Sequence, residues 1–188
     1  MSYSLNETEA LVRKAARGAG YSWGEAEDAG RAVRWLEARG LPGAAAALHL
    51  FGLKTTGALA SDSCGLTLGT RLSDGVLPEG TQANIEAPLL LLPFAHATGT
   101  DQTLTWTTGT ACLGADGTAT FTGTPPALRD DLTLTQGRGT GTPLISTTRA
   151  DIPQTVVDGL TALAARTYAP ATEASRLLGA GAGLSDND

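Results

Sequence analysis

Leu104-Thr105-Trp106-Thr107, Thr118-Ala119-Thr120-Phe121-Thr122-Gly123-Thr124 and Leu132-Thr133-Leu134-Thr135 share one pattern, in which apolar side chains alternate with threonine. A period of two puts alternate side chains on opposite faces of a strand. Trp106, Phe121, Leu132 and Leu134 are therefore expected to point the same way into a dry interior, with their threonine neighbours meeting water. Of the 51 residues from 98 to 148, 17 are threonine, and this β-branched residue suits a pleated, half-exposed surface. Asp116-Gly117 lies between the first two segments and predicts an antiparallel hairpin joining them. Leu132 to Thr135 reads as a third meander strand and Thr142 to Arg149 as a fourth. Cys64 to Leu72 and Ile85 to Phe94 read as further strands. In the latter, the unbroken Leu89-Leu90-Leu91-Leu92, bracketed by Pro88 and Pro93, fits a strand covered on both faces.

Outside this region the period is 3.6. Ser4-Leu5-Asn6-Glu7 and Ser22-Trp23-Gly24-Glu25 are capping boxes, in which each serine and glutamate satisfy one another's backbone N–H. The first opens a helix through Ala15 and Ala16 that stops at Gly18 to Gly20. The second opens a helix lined by Trp23, Ala26, Gly30, Val33 and Leu36, which Gly40 ends. Pro42 starts a third helix to Phe51, closed by Gly52. Past Asp151-Ile152-Pro153-Gln154, the stripe of Val156, Val157, Leu160, Leu163 and Ala164 predicts another helix, stopped by Ala169-Pro170. A helical turn follows at Thr172 to Leu178, and the glycines from 179 to 183 predict a flexible tail over 179–188. The expected plan is a single α+β domain over 1–188. It has a helical N-terminal segment (1–54), a β-rich core (60–150) that is mainly antiparallel, and C-terminal helices (151–178).

The chain has 188 residues, 41% of them hydrophobic and 17% charged, with a net charge of −6. Residues 1–54 carry a net +1 and residues 55–188 a net −7. The acidic larger part disfavours nucleic-acid binding, and no basic run follows Lys54 to hold an anionic membrane. The longest apolar run, Ala87 to Ala95, holds two prolines and falls far short of the ~20 residues that span a bilayer. The N-terminus has neither a basic n-region nor an apolar h-region, which predicts a cytoplasmic protein with Cys64 and Cys112 reduced.

Chemistry-bearing residues are sparse. His49, Cys64, His96 and Cys112 show no metal-ligand spacing, and Asp186 and Asp188 are too few for a hard cation, so no metal and no cofactor is expected. Cys64 is a nucleophile only with a base beside it, for which His96 is the nearest in kind. Gly137-Arg138-Gly139-Thr140-Gly141 is similar to a phosphate loop but lacks the strand–loop–helix frame, and reads as a turn. The most promising cluster is Thr147-Thr148-Arg149-Ala150-Asp151, with Arg166, Tyr168, Thr172, Glu173, Ser175 and Arg176. Here a strand hands over to a helix, and Arg149 offers a planar fork for a carboxylate or phosphate. Glu173 and Arg176, three apart, would pair on a helix.

Ser4-Leu5-Asn6-Glu7-Thr8-Glu9-Ala10-Leu11, continuing through Lys14 to Gly20, resembles the opening of a bacterial family known only as a domain of unknown function. The closing stretch Tyr168 to Leu177, with Gly179 to Gly183, is similar to that family's end. The resemblance spans essentially the whole chain and implies no activity, cofactor or catalytic residue. Over residues 5–40, the two helices ending in Glu37-Ala38-Arg39-Gly40 are similar to the start of the malate/L-lactate dehydrogenase family that binds NAD without a Rossmann fold. That family continues with Ser-His-Gly, where this chain has Leu41-Pro42-Gly43.

Two functional readings follow. The first is a binding or accessory protein with no catalytic centre of its own, whose apolar sheet face is covered by its own helices, a homodimer or a protein partner, with neither nucleic acid nor membrane involved. The second is an enzyme acting on a carboxylated metabolite, with Arg149 as anion clamp and Asp151, Tyr168 or Glu173 as acid/base.

Overall fold

Both capping boxes form. Ser4 Oγ accepts the Glu7 N–H at 3.2 Å and Glu7 Oε2 accepts the Ser4 N–H at 2.9 Å. Ser22 and Glu25 repeat the exchange at 3.3 and 2.8 Å. These boxes start α1 (Leu5–Gly18) and α2 (Trp23–Glu37). The computed structural model describes residues 2–167; the expected helical turn at 172–178 and the tail at 179–188 lie outside them. α3 (Gly43–Thr56) follows Pro42 but runs past Gly52 to Gly57, which takes the left-handed φ of 73° that closes it.

Two expected strands are helical over most of their length, although Cys64 forms an isolated bridge and Ile85 and Glu86 lie in a strand. Residues 65–72 fall in α4 (Gly65–Ser73). Gly65 and Gly69, one turn apart, let the helix lie directly on the Ala87 carbonyl and the Phe94 ring, leaving no room for a Cβ at either position. The run from Leu89 to Leu92 is a 3₁₀ turn (Pro88–Leu90) leading into α5 (Leu91–Ala97). All four leucines are buried, and a short run that is apolar on every side does not distinguish a strand from a buried helix.

The sheet is antiparallel throughout, in the order β2-β6-β3-β4-β5-β7, built from β2 (Gly80–Glu86), β3 (Gln102–Trp106), β4 (Gly109–Leu113), β5 (Ala119–Gly123), β6 (Arg129–Gln136) and β7 (Thr142–Pro143). The expected hairpin had one strand too few. β4 lies between the Trp106 and Phe121 strands, so Asp116-Gly117 joins β4 to β5. Small residues from Gly109 to Cys112 give β4 no strong alternation. β6 pairs with β3 and β2 and not with β5. The expected strand from Thr142 to Arg149 divides between β7 and β8 (Arg149–Asp151), and β8 pairs separately with β1 (Ser2–Ser4).

The facing of the sheet agrees with the sequence pattern. Trp106 pairs with Leu132, and Leu104 pairs with both Leu134 and Ala111, which in turn pairs with Phe121. Leu104, Trp106, Leu132 and Leu134 are buried and Phe121 half-buried, with its ring 5.3 Å from that of Trp106. On the other face, threonines pair with threonines in register, as in the 2.9 Å hydrogen bond between Thr81 and Thr133. α5 touches α2 and α4 on one side and β3 and β4 on the other, so the chain's own helices cover the apolar face. α6 (Gln154–Ala165) crosses α1 and α3. Among the described residues, no helix is long and apolar enough to cross a membrane.

Candidate functional site

β8 carries two of the expected site residues, Arg149 and Asp151. The Arg149 guanidinium donates to Ser2 Oγ at 2.7 Å and to the Ser2 carbonyl at 2.8 Å, so it fastens β1 to β8. Arg149 and Asp151 line a cleft of about 350 Å³ together with Thr147, Pro42 and Glu37. Arg166 lines a different cleft, and Tyr168, Thr172, Glu173, Ser175 and Arg176 lie outside the described residues. The sequence reading missed Glu37, the last residue of α2. It is buried, and its Oε1 accepts the Ala44 N–H at 2.8 Å, capping α3 from outside. Burial pushes its pKa up to about 7; the Ala44 and Gly43 N–H groups oppose the rise and the Asp151 charge adds to it.

The cysteines and histidines are not brought together as a nucleophile and base. Cys64 is buried, and its backbone bridges to Glu86. The Glu86 carboxylate holds His49 Nε2 at 2.8 Å and has Arg129 at 3.6 Å. His96 lies on α5, against α2. No cluster of three His, Cys, Asp or Glu able to hold a metal occurs among the described residues.

The strongest arrangement is at the end of α2. The Arg39 guanidinium stacks 3.9 Å from the Trp35 ring centre, and the His96 ring lies 5.2 Å from the same indole. Arg39 Nε, Trp35 Nε1 and His96 Nδ1 are buried with no hydrogen-bond partner among the described residues. Leaving such a group without a partner costs roughly 1–3 kcal/mol, so each is a place where a water, an ion or a ligand atom is accommodated. Burial pushes the His96 pKa down, and the Arg39 charge pushes it further, so the imidazole is neutral at pH 7. Arg39 donates to the Trp35 carbonyl and, among the described residues, forms no ion pair.

This stack separates two clefts. Trp35 and His96 line one of about 520 Å³, with Phe94, Thr70, Ser73 and Asp74. Arg39 lines the other, of about 470 Å³, at the end of the β4–β5 hairpin. Its wall includes Thr118, Thr120, Arg138 and Gly139 to Gly141 and, among the described residues, no acidic side chain. Arg138 reaches out of the wall to Asp116 at 2.6 Å; the Thr118 hydroxyl and N–H, then Arg138, hold that carboxyl down to about 2. Thr120 Oγ1 is buried and unpartnered. The glycine-rich segment noted in the sequence thus faces a half-buried cation from the turn after α2, some hundred positions away. One guanidinium that forms no ion pair among the described residues, a second held by Asp116, hydroxyls and a glycine-rich loop make a receptor for an oxyanion.

A family model described as "Protein of unknown function (DUF3726)" matches residues 3–73. The matched stretch runs from β1 to α4 and includes Trp35, Glu37 and Arg39, but neither His96 nor β8. It brings no activity with it. No curated protein and no solved structure matches the chain.

Proposed function

We propose that the protein is a binding protein for a small carboxylate-bearing metabolite, held in the Arg39 cleft without chemistry of its own. The observation that carries this reading is the Arg39 guanidinium, half-buried and, among the described residues, without a carboxylate partner, in a cleft whose described wall adds Arg138, itself paired with Asp116, and no acidic residue. Desolvation alone already lowers its pKa, so an incoming carboxylate supplies the counter-charge that the chain withholds. A charge-assisted contact of this kind contributes roughly 1.5–3 kcal/mol.

Succinate, benzoate and inorganic phosphate, followed by calorimetry and thermal shift, test the reading. A carboxylate is expected to bind and raise the melting temperature, since it binds the native state. Arg39→Met is expected to weaken binding about ten- to a hundredfold, while Arg39→Lys, which keeps the charge but loses the planar fork, retains part of it. Carboxylate binding that is indifferent to Arg39→Met sinks the proposal.

A second reading, an enzyme of the Asp151 cleft, draws on Glu37, whose pKa of about 7 suits general acid–base work. In that case the same ligands would lose affinity on Glu37→Gln and not on Arg39→Met.

A further inference from the structure

The largest of these clefts, about 760 Å³, is lined by Arg13, Lys14 and Arg17 of α1, by Trp23 at the start of α2, and by Arg166 at the end of α6. Among the described residues, Glu27 is its one acidic residue. Four cations and one carboxylate in one concavity oppose the net charge of −6 on the whole chain. The C-terminal ends of α1 and α6 account for two of the cations, since Arg17 and Arg166 lie at the negative ends of those helices. They do not account for Arg13 and Lys14, which stand about a turn further back in α1. Among the described residues, neither Arg13, Lys14 nor Arg166 makes an ion pair. The capping box of Ser22 and Glu25 already satisfies the start of α2, so that terminus is not the attraction.

Trp23 is the second feature. It is 68% exposed, although large aromatic side chains are mostly covered. The Arg17 guanidinium lies 4.5 Å from its ring centre and is fixed there by donating to the Tyr21 carbonyl. One face of the indole is therefore occupied by a cation and the other is open. A flat ring on the open face would complete a three-layer stack, while Arg13, Lys14 and Arg166 would meet an attached phosphate.

We propose that this cleft binds a nucleoside phosphate, its base on Trp23 and its phosphates on Arg13, Lys14 and Arg166. The volume falls within the ~300–1,000 Å³ of small-molecule sites. The net charge of −7 over residues 55–188 argues against a long nucleic acid, whose further phosphates would meet an acidic surface. The proposal is independent of the Arg39 cleft.

The test uses the full chain with ADP, adenosine, pyrophosphate and a single-stranded oligonucleotide, measured by calorimetry at two salt concentrations. ADP is expected to bind at least about tenfold more tightly than adenosine or pyrophosphate, and more weakly at the higher salt. Trp23→Ala is expected to cost ADP about five- to a hundredfold, in line with base stacking on an aromatic side chain, and to leave pyrophosphate unchanged. Arg13→Gln with Lys14→Gln is expected to weaken both. These side chains are exposed, so the variants should melt like the parent. The proposal fails if ADP does not bind, if pyrophosphate binds as tightly as ADP, or if Trp23→Ala leaves ADP affinity intact. Tighter binding of the oligonucleotide than of ADP also overturns it, in favour of a nucleic-acid surface.

Discussion

Replacing Gly18 with alanine is expected to destabilise the fold by about 3 kcal/mol or more, at the upper end of overpacking effects. Gly18 closes α1 where α6 crosses it, and a Cβ there would lie well inside contact distance of the Leu163 carbonyl oxygen. The obstacle is backbone, so no rotamer change relieves it. α6 would have to move as a unit, drawing the buried Leu160 and Leu163 away from the neighbouring core, which includes Val12, Ala15 and Ala16 of α1. For a chain of this size, about 3 kcal/mol corresponds to roughly 6–12 °C in melting temperature. Gly24→Ala is the control. It lies in the first turn of α2 with nothing within 4 Å of the added methyl, and alanine is the better helix former, so its melting temperature should stay level or rise. Equal melting of the two variants would show that α1 and α6 do not meet at Gly18.

The second large effect is on the pH dependence of stability. The Glu37 pKa is about 7 in the folded protein, against an ordinary 4.5. Between these values the folded chain holds a proton that the unfolded chain releases. The stabilisation is complete below pH 4.5 and is lost as pH rises through 7. At ~1.4 kcal/mol per unit, the loss amounts to about 3 kcal/mol. Glu37→Gln keeps an oxygen to accept the Ala44 N–H but cannot ionise. Its stability should therefore lack this slope, and at pH 8 it should melt roughly 6–12 °C above the parent. Chemical denaturation at pH 5, 6.5 and 8 reads this directly; parallel curves for parent and variant would rule it out.

The sheet was legible because its signal is local. Trp106, Phe121, Leu132 and Leu134 alternate with threonine strongly enough to fix their common face, and the serine–glutamate boxes mark the first two helices without ambiguity. β4 was missed because Gly109 to Cys112 are small. α4 and α5 were misread because Cys64, Leu66 and Leu68 imitate strand alternation and because four leucines in a row carry no period. The candidate sites were hardly legible at all. Arg39 and the glycines at 139 and 141 share a cleft only through the tertiary fold, and nothing local sets Arg39, just past α2, apart from the arginines of α1 and α2. Glu37 looks like an ordinary last-turn residue until α3 folds back over it. The conspicuous Arg149 is engaged by Ser2, a partner 147 positions away.

That same distance has a consequence for biosynthesis. The ribosome delivers Ser2–Ser4 well over a hundred residues before their partners Arg149–Asp151. Helical contacts close in sequence assemble early, whereas pairing across so many residues is slow to form. Throughout that interval the first segment presents an unfilled strand edge beside an already folding helical layer. A nascent chain interrupted before Arg149 would keep that edge open, and neighbouring chains on the same message would be its nearest mates.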